Sequence, residues 1–466
     1  MKTLILAIVL TMTAVLKAQP LGEHEVSSSG SAVLKATKNG SNGIQGITPE
    51  PNPFGFASCD GGTVGGEGGS TVVITSAQQL NDIMVPRQKN ITTPLILYIS
   101  GTLTGLSDEV EIKRTANVSI LGLGPDAGLR GFGFKITDCQ NIIIRNLTFS
   151  DCTAGEGDAI AVEGCVHVWI DHCSFTDSPG SADDENHDGQ TDVKKGSYDV
   201  TLSWNHYQDH RKTSLLGHSK SQTDDTVMEV TYVHNWFDGT YSRHPRVRYA
   251  KVHVVNNLYT DVGLSGGYGV GSTCQAQVFV EGNYFQNTPT PTLISLVNDT
   301  EGTLSHDPAG YLKASDNVLD NSGAIVENGS AFVFDPGQHY AYVSEDPQSV
   351  KASVEAGAGA GIISIATSIP ASGVATTPKE FSLNQNYPNP FNPSTQIEFT
   401  VMRSAATTLK VYDVLGREIA VLFDGNAFPG NVYRTEFTAG RLPSGVYVSV
   451  LKSGPSSAAR TMLLVK

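Results

Sequence analysis

Seven stretches of the chain repeat one pattern of apolar and polar positions. They read NVSILGL (117–123), NIIIRNLTF (141–149), VHVWIDHCSF (166–175), YDVTLSWNHY (198–207), MEVTYVHNWF (228–237), AKVHVVNNLY (250–259) and AQVFVEGNYF (276–285). Each is a short run with apolar residues at alternate positions. Six of them close on an aromatic ring, at Phe149, Phe175, Tyr207, Phe237, Tyr259 and Phe285, at intervals of 22 to 32 residues. One short β segment per period of that length predicts a solenoid. Asn205, Asn235, Asn257 and Asn283 each stand two places before the aromatic. Stacked at one corner, they would form an amide ladder above an aromatic ladder. The fold class expected is therefore all-β, with a parallel β-helix as the main body. A leucine-rich horseshoe is excluded by the missing Leu-x-x-Leu spacing. An antiparallel sandwich is disfavoured because Asn-Gly hairpin signals are sparse.

The remaining pattern divides the chain. Residues 1–18 carry Lys2, an apolar run from Leu4 to Leu16 interrupted by Thr11 and Thr13, and a small residue at Ala18. That is the pattern of a signal peptide cleaved before Gln19, and the apolar run is short for a membrane anchor. Residues 19–53 read as a mobile leader. Residues 54–348 hold the β-helix, beginning with the VVIT strand, a short helix N-capped by Ser76 with Gln79 completing the box, and the strand LILYISGTL (95–103). Residues 349–378, with AGAGAG (356–361) and SIPASGVATTP (368–378), read as a linker. Residues 379–466 alternate strands with Gly/Pro turns and predict a small antiparallel β-sandwich.

Bulk composition narrows the function classes. The 48 glycines suit a turn-rich β fold, and the net charge of −15 argues against nucleic acid as a partner. An acidic polymer would bind only through a local basic patch or a bridging cation. None of the six cysteines has C-x-x-C spacing, so they are read as packing or disulfide residues whose pairing sequence does not give.

The chemistry concentrates between Gly155 and Arg248, where an acidic half precedes a basic half. Glu156, Asp158, Asp188 and Asp192 lie in loops of consecutive rungs and offer hard oxygen ligands for Ca²⁺; read alone they are equally solvated loop acids. Asp184-x-Asn186-x-Asp188-Gly189-x-x-Asp192 imitates an EF-hand loop but fails at Lys195, where a bidentate carboxylate is required. Lys212, Arg243, Arg246 and Arg248 follow one and two rungs later, as structural salt bridges or as a grip for carboxylates. His172, His210 and His244 read as buried or turn-stabilising.

At these residues the chain resembles the pectate lyases of polysaccharide lyase family 1. GDAIAV, VWIDHCSF, the D-x-x-x-D of Asp188 and Asp192, DHRKTSLLG and RHPRVR stand in family order. The resemblance implies a right-handed, pectin lyase-like β-helix, with Asp158, Asp188 and Asp192 as calcium ligands. Glu156 would be a further ligand where Asp is commoner. Lys212 and Arg248 would bind substrate and Arg243 would act as the base in β-elimination on a galacturonate polymer. Free arginine holds its proton strongly, so an alkaline optimum is implied. FSLNQNYPNPFNPSTQIEF, LKVYDVLGREI, LPSGVYVSVL and TMLLVK resemble a type IX secretion sorting domain. That implies the export machinery as a partner and a secreted or surface-attached monomer with no transmembrane segment. Three alternatives are weighed: a calcium-independent pectin lyase on methyl-esterified pectin, a non-catalytic β-helix adhesin and a glycoside hydrolase. None of them explains the acids and the Lys/Arg set together.

Overall fold

The computed structural model describes residues 52–178, 187–365, 381–403, 405–427, 433–440 and 442–466. The signal peptide, nearly all of the leader, Asp184 and Asn186 of the EF-hand-like run, and the second half of the expected linker lie outside the described residues.

The described residues between 70 and 320 wind into a parallel solenoid whose strands stack rung on rung in three sheets. The first runs from Ser70–Ile74 through Val166–Asp171 and Tyr198–Ser203 to Tyr311–Ser315, with every pairing parallel. The second holds the short strands carrying the aromatics, from Thr148–Ser150 to Val318–Asp320. The long strand Ala116–Arg130 passes through both. The third is eight-stranded and includes Ile160–Glu163, Thr191–Lys194, Leu215–Leu216 and Arg246–Arg248.

Alternation explains the packing, because successive strand residues face opposite sides. Ile142 and Ile144, Val168 and Ile170, Val200 and Leu202, Val230 and Tyr232, and Val252 and Val254 point inward and are fully buried. Both expected ladders form. Asn205 Nδ2 donates to Asn235 Oδ1 at 3.0 Å, Asn235 to Asn257 at 2.9 Å and Asn257 to Asn283 at 3.0 Å; Asn317, not foreseen, extends the row at 3.0 Å. Below it, rings from Phe149 to Phe285 stack at centroid spacings of 4.3–5.2 Å. The residue before each corner position (His172 before Cys173, then Trp204, His234, Asn256, Gly282 and Asp316 before the asparagines) has φ between 47° and 63°, a left-handed corner. His172, Trp204 and His234 stack on one another there, which holds bulky residues in a conformation they otherwise avoid. The structural reading of His172 is thereby accounted for.

Ser76 caps the helix Ala77–Arg87 as expected, accepting from Gln79 N. A second helix was not foreseen. Pro347–Gly357 folds where the linker was expected to start, and its Val350 and Val354 bury against Leu258. Beyond it, Gly359 N donates to Trp204 O, Ala360 N to Ser174 Oγ and Gly361 N to Asn146 Oδ1. A Cβ on Gly357 would sit 2.6 Å from the Trp204 ring. The Ala/Gly run is thus a strap lying close on the corner residues, and small side chains are what that approach needs. All six cysteines are free thiols, five of them buried, so packing is their role here.

Among the described C-terminal residues there are two antiparallel sheets, one of three strands and one of four. Phe399 meets Phe423 across them and stacks on Tyr433, and Phe437 faces Tyr447. This is the small β-sandwich expected. No helix among the described residues is long and apolar enough to cross a membrane.

Candidate active site

The third sheet and the turns that enter it carry the charged residues. On Thr191–Lys194 the inward residue is Val193, so Asp192 and Lys194 face outward; on Arg246–Arg248 Val247 is inward and both arginines face outward. Register places Asp192 beside Ala161, and Leu215 beside Arg246, so residues distant in sequence become neighbours on one face.

Asp158 and Asp192 meet around Lys194. Its Nζ lies 3.2 Å from Asp158 Oδ2 and 3.1 Å from Asp192 Oδ2, and all three side chains are buried. Asp158 Oδ1 accepts from Gly189 N at 2.6 Å and Asp192 Oδ1 from Leu215 N at 2.9 Å. Burial, and then the charge of Asp192, push the Asp158 carboxyl up to about 7 in spite of Lys194. The two acids hold the Lys194 ammonium above its ordinary value although burial opposes this. Asp188 sits further out and joins Lys212 at 3.1 Å. Burial would raise its carboxyl, but Lys212, Arg243 and Lys194 bring it below the ordinary value.

Glu156 does not join these acids. Its carboxylate is half exposed and turned to Lys135 Nζ at 2.5 Å, while its backbone N donates to Glu109 Oε2. Spacing alone does not disclose this, because Lys135 and Glu109 arrive from earlier rungs.

Arg243 occupies the turn before Arg246–Arg248 with φ +68°, the left-handed region that an arginine enters at a cost. Ser214 N donates to its carbonyl at 2.8 Å, and the neighbouring His244 N to Gly269 O at 3.1 Å. His244 is fully buried, and burial drives its imidazole down to about 3, so it stays neutral and braces the turn by donating from Nδ1 to Tyr268 O. Arg248 is buried: its Nε donates to Asp307 Oδ2 at 2.8 Å and its Nη1 to Gly217 O at 3.0 Å. Arg246 shares the same Asp307 oxygen at 3.1 Å. Asp307 escaped the sequence reading because it comes from a loop outside the repeat; Lys194 was legible as the next outward position after Asp192 but went unused.

The acidic pair suits a divalent cation. Asp192 Oδ2 is buried with the Lys194 ammonium beside it at 3.1 Å. Gly189 leaves a cradle between the carboxylates: a Cβ there would lie 2.3 Å from Asp192 Oδ1 and 2.9 Å from Asp158 Oδ1. Carboxylate oxygens are the donors that Ca²⁺ takes.

A family profile described as pectate lyase matches residues 45–363. The chain belongs to the pectate lyase family. A Bacillus licheniformis pectate trisaccharide-lyase is 36% identical over 313 residues, 66% of this chain and 86% of that protein. An Emericella nidulans pectate lyase is 34% identical over 54% of this chain and 74% of its own length. Among solved structures, a Bacillus sp. N165 pectate lyase in complex with trigalacturonate superposes with a TM-score of 0.59 at 31% identity, covering 66% of this chain and 99% of that one. A second profile, a secretion system C-terminal sorting domain, matches residues 385–465. This lyase therefore carries a type IX export tail and is secreted or attached at the cell surface.

Proposed function

We infer that this polysaccharide lyase cleaves de-esterified galacturonan by β-elimination, with Asp158, Asp188 and Asp192 as ligands to Ca²⁺ and Arg243 as the base. The observation that carries the reading is the meeting of a buried, cation-seeking carboxylate pair with Lys212 and the Arg243 turn on successive rungs of one face. A bound calcium ion would coordinate a uronate carboxylate and withdraw charge from it. Lys212 is more than a third exposed beside Asp188 and would release it to bind the same carboxylate. Arg243, held by its backbone, would take the proton α to that carboxylate, and C4–O4 scission would follow, the departing O4 taking a proton from solvent and the base returning one to it, so that no water is consumed overall. A guanidine accepts a proton only when neutral, so activity should rise towards alkaline pH. Glu156 would become a ligand only by leaving Lys135. Arg248, buried against Asp307, would support the Arg246–Arg248 strand and present its remaining nitrogen to substrate.

The test is ultraviolet absorbance of unsaturated product on polygalacturonate, with and without a chelator, for the natural protein and Arg243→Ala. Loss in both arms is the expected outcome. Chelated enzyme at full activity would remove calcium from the scheme, and new reducing ends without absorbance would mean hydrolysis.

A further inference from the structure

A second cluster of ligating side chains is linked through His210 to the Asp188 carbonyl and shares no residue with the acidic pair. Asp151 and Asp177 end consecutive rungs of the second sheet, stacked by the bond from Asp151 N to Thr176 O at 3.2 Å. His187 comes in beside them, and one ligand atom from each of the three lies within 4.8 Å of the others. The His187 imidazole is 6% exposed, and neither of its ring nitrogens has a hydrogen-bond partner. Its Nε2 points at Asp177 Oδ1 from 3.5 Å. Burying two ring nitrogens with no hydrogen bond to either is unfavourable. Asp151 also accepts from Ser178 N and Ser178 Oγ and meets Arg130 at 3.2 Å, and Asp177 Oδ2 bonds His210 Nδ1.

We propose that Asp151, Asp177 and His187 form a second metal site, for a borderline divalent cation of the Zn²⁺ class. One imidazole nitrogen with two carboxylates is a donor set such ions accept, whereas Ca²⁺ prefers oxygen alone. His210 is the outer-sphere partner, bonding the Asp177 carboxylate on one side and the Asp188 carbonyl at 2.7 Å on the other. The His187 carbonyl accepts from Lys212 Nζ at 3.4 Å. A cation here fixes the backbone that presents Asp188 and Lys212, so its role is to hold these two residues in register rather than to touch substrate.

The test uses the untagged, full-length protein, stripped of metal, saturated with Ca²⁺ and titrated with Zn²⁺ by calorimetry and with Co²⁺ by visible absorption. One Zn²⁺ equivalent should bind in excess Ca²⁺. His187→Gln and Asp151→Asn, checked for folding by circular dichroism, should lose it. His210→Gln should weaken it about 10–100-fold. Asp192→Asn should lose calcium dependence and keep the zinc equivalent, which separates this site from the lyase reading. No zinc equivalent in the natural protein, unchanged binding in folded His187→Gln, or its disappearance in Asp192→Asn would each overturn the proposal.

Discussion

Asp158 is where the fold stores electrostatic tension. Its carboxyl ordinarily titrates at 3.8 and here titrates at about 7, first because it is buried and second because Asp192 faces it. A folded-state value above the unfolded one means that the folded chain binds the extra proton. The associated stability is complete below the unfolded value and is lost as pH rises from about 3.8 through about 7. On the proposed ligand set calcium has to displace that proton, so its affinity should climb with pH up to about 7, by at most about tenfold per pH unit. Melting curves across this window, with and without Ca²⁺, give the check. Without the ion the natural protein should lose stability relative to Asp158→Asn as pH rises, and with it the trend should reverse. A calcium response of the same size in Asp158→Asn would remove this carboxylate from the binding set. Glu156 marks the limit of reading such sites from sequence. Its place in GEGD gives the rung but not the direction of the side chain, which Lys135 and Glu109 decide.

At the scale of elements, the repeat made the solenoid legible because each rung states the same rule: apolar inward, Asn at the corner, an aromatic two places on. Asn257 illustrates how much one rung carries. Its Oδ1 accepts from both N and Nδ2 of Asn235, and its Nδ2 donates to Tyr232 O and Val255 O as well as to Asn283. Asn257→Ala leaves several of these groups buried and unpaired, and should destabilise by roughly 2–5 kcal/mol at about 1–3 kcal/mol for each group that stays unmet. Asn317 makes similar bonds at the last position of the row, where it is only partly buried. Water can replace its partners, so Asn317→Ala should cost about 1 kcal/mol. Urea midpoints of the two variants measure the difference; equal losses would mean that the ladder does not act through burial. The strap was illegible for the opposite reason. AGAGAG alternates two small residues and marks out no apolar face, and its meaning lies in the Trp204 ring and the corner groups it approaches, which only the wound chain assembles.

The whole molecule joins a β-helix to an export tail, and its parts are expected to separate cleanly at one boundary and badly at another. The pectate lyase profile ends at 363, and Asp158, Asp188, Asp192, Lys212, Arg243 and Arg248 all lie far upstream. A chain ending after residue 365 keeps every rung, the helix Pro347–Gly357 and the strap, and lacks the sorting domain. It should keep its activity on polygalacturonate in the test tube and fail to leave the cell. A chain ending after residue 346 loses the helix as well. That uncovers Leu258, which is fully buried in the intact protein beneath Val350 and Val354, and frees the corners at Trp204 and Asn146. Fully exposing one large aliphatic side chain costs about 1.5–3 kcal/mol, and the lost strap bonds add to that. The shorter chain should therefore melt lower and aggregate more readily than the longer one, although the same site residues are present in both. Thermal unfolding and specific activity of the purified pair decide the matter. Equal melting temperatures would return residues 347–365 to the role of a passive linker, and lost activity in the longer chain would give the tail a part in catalysis as well as in export.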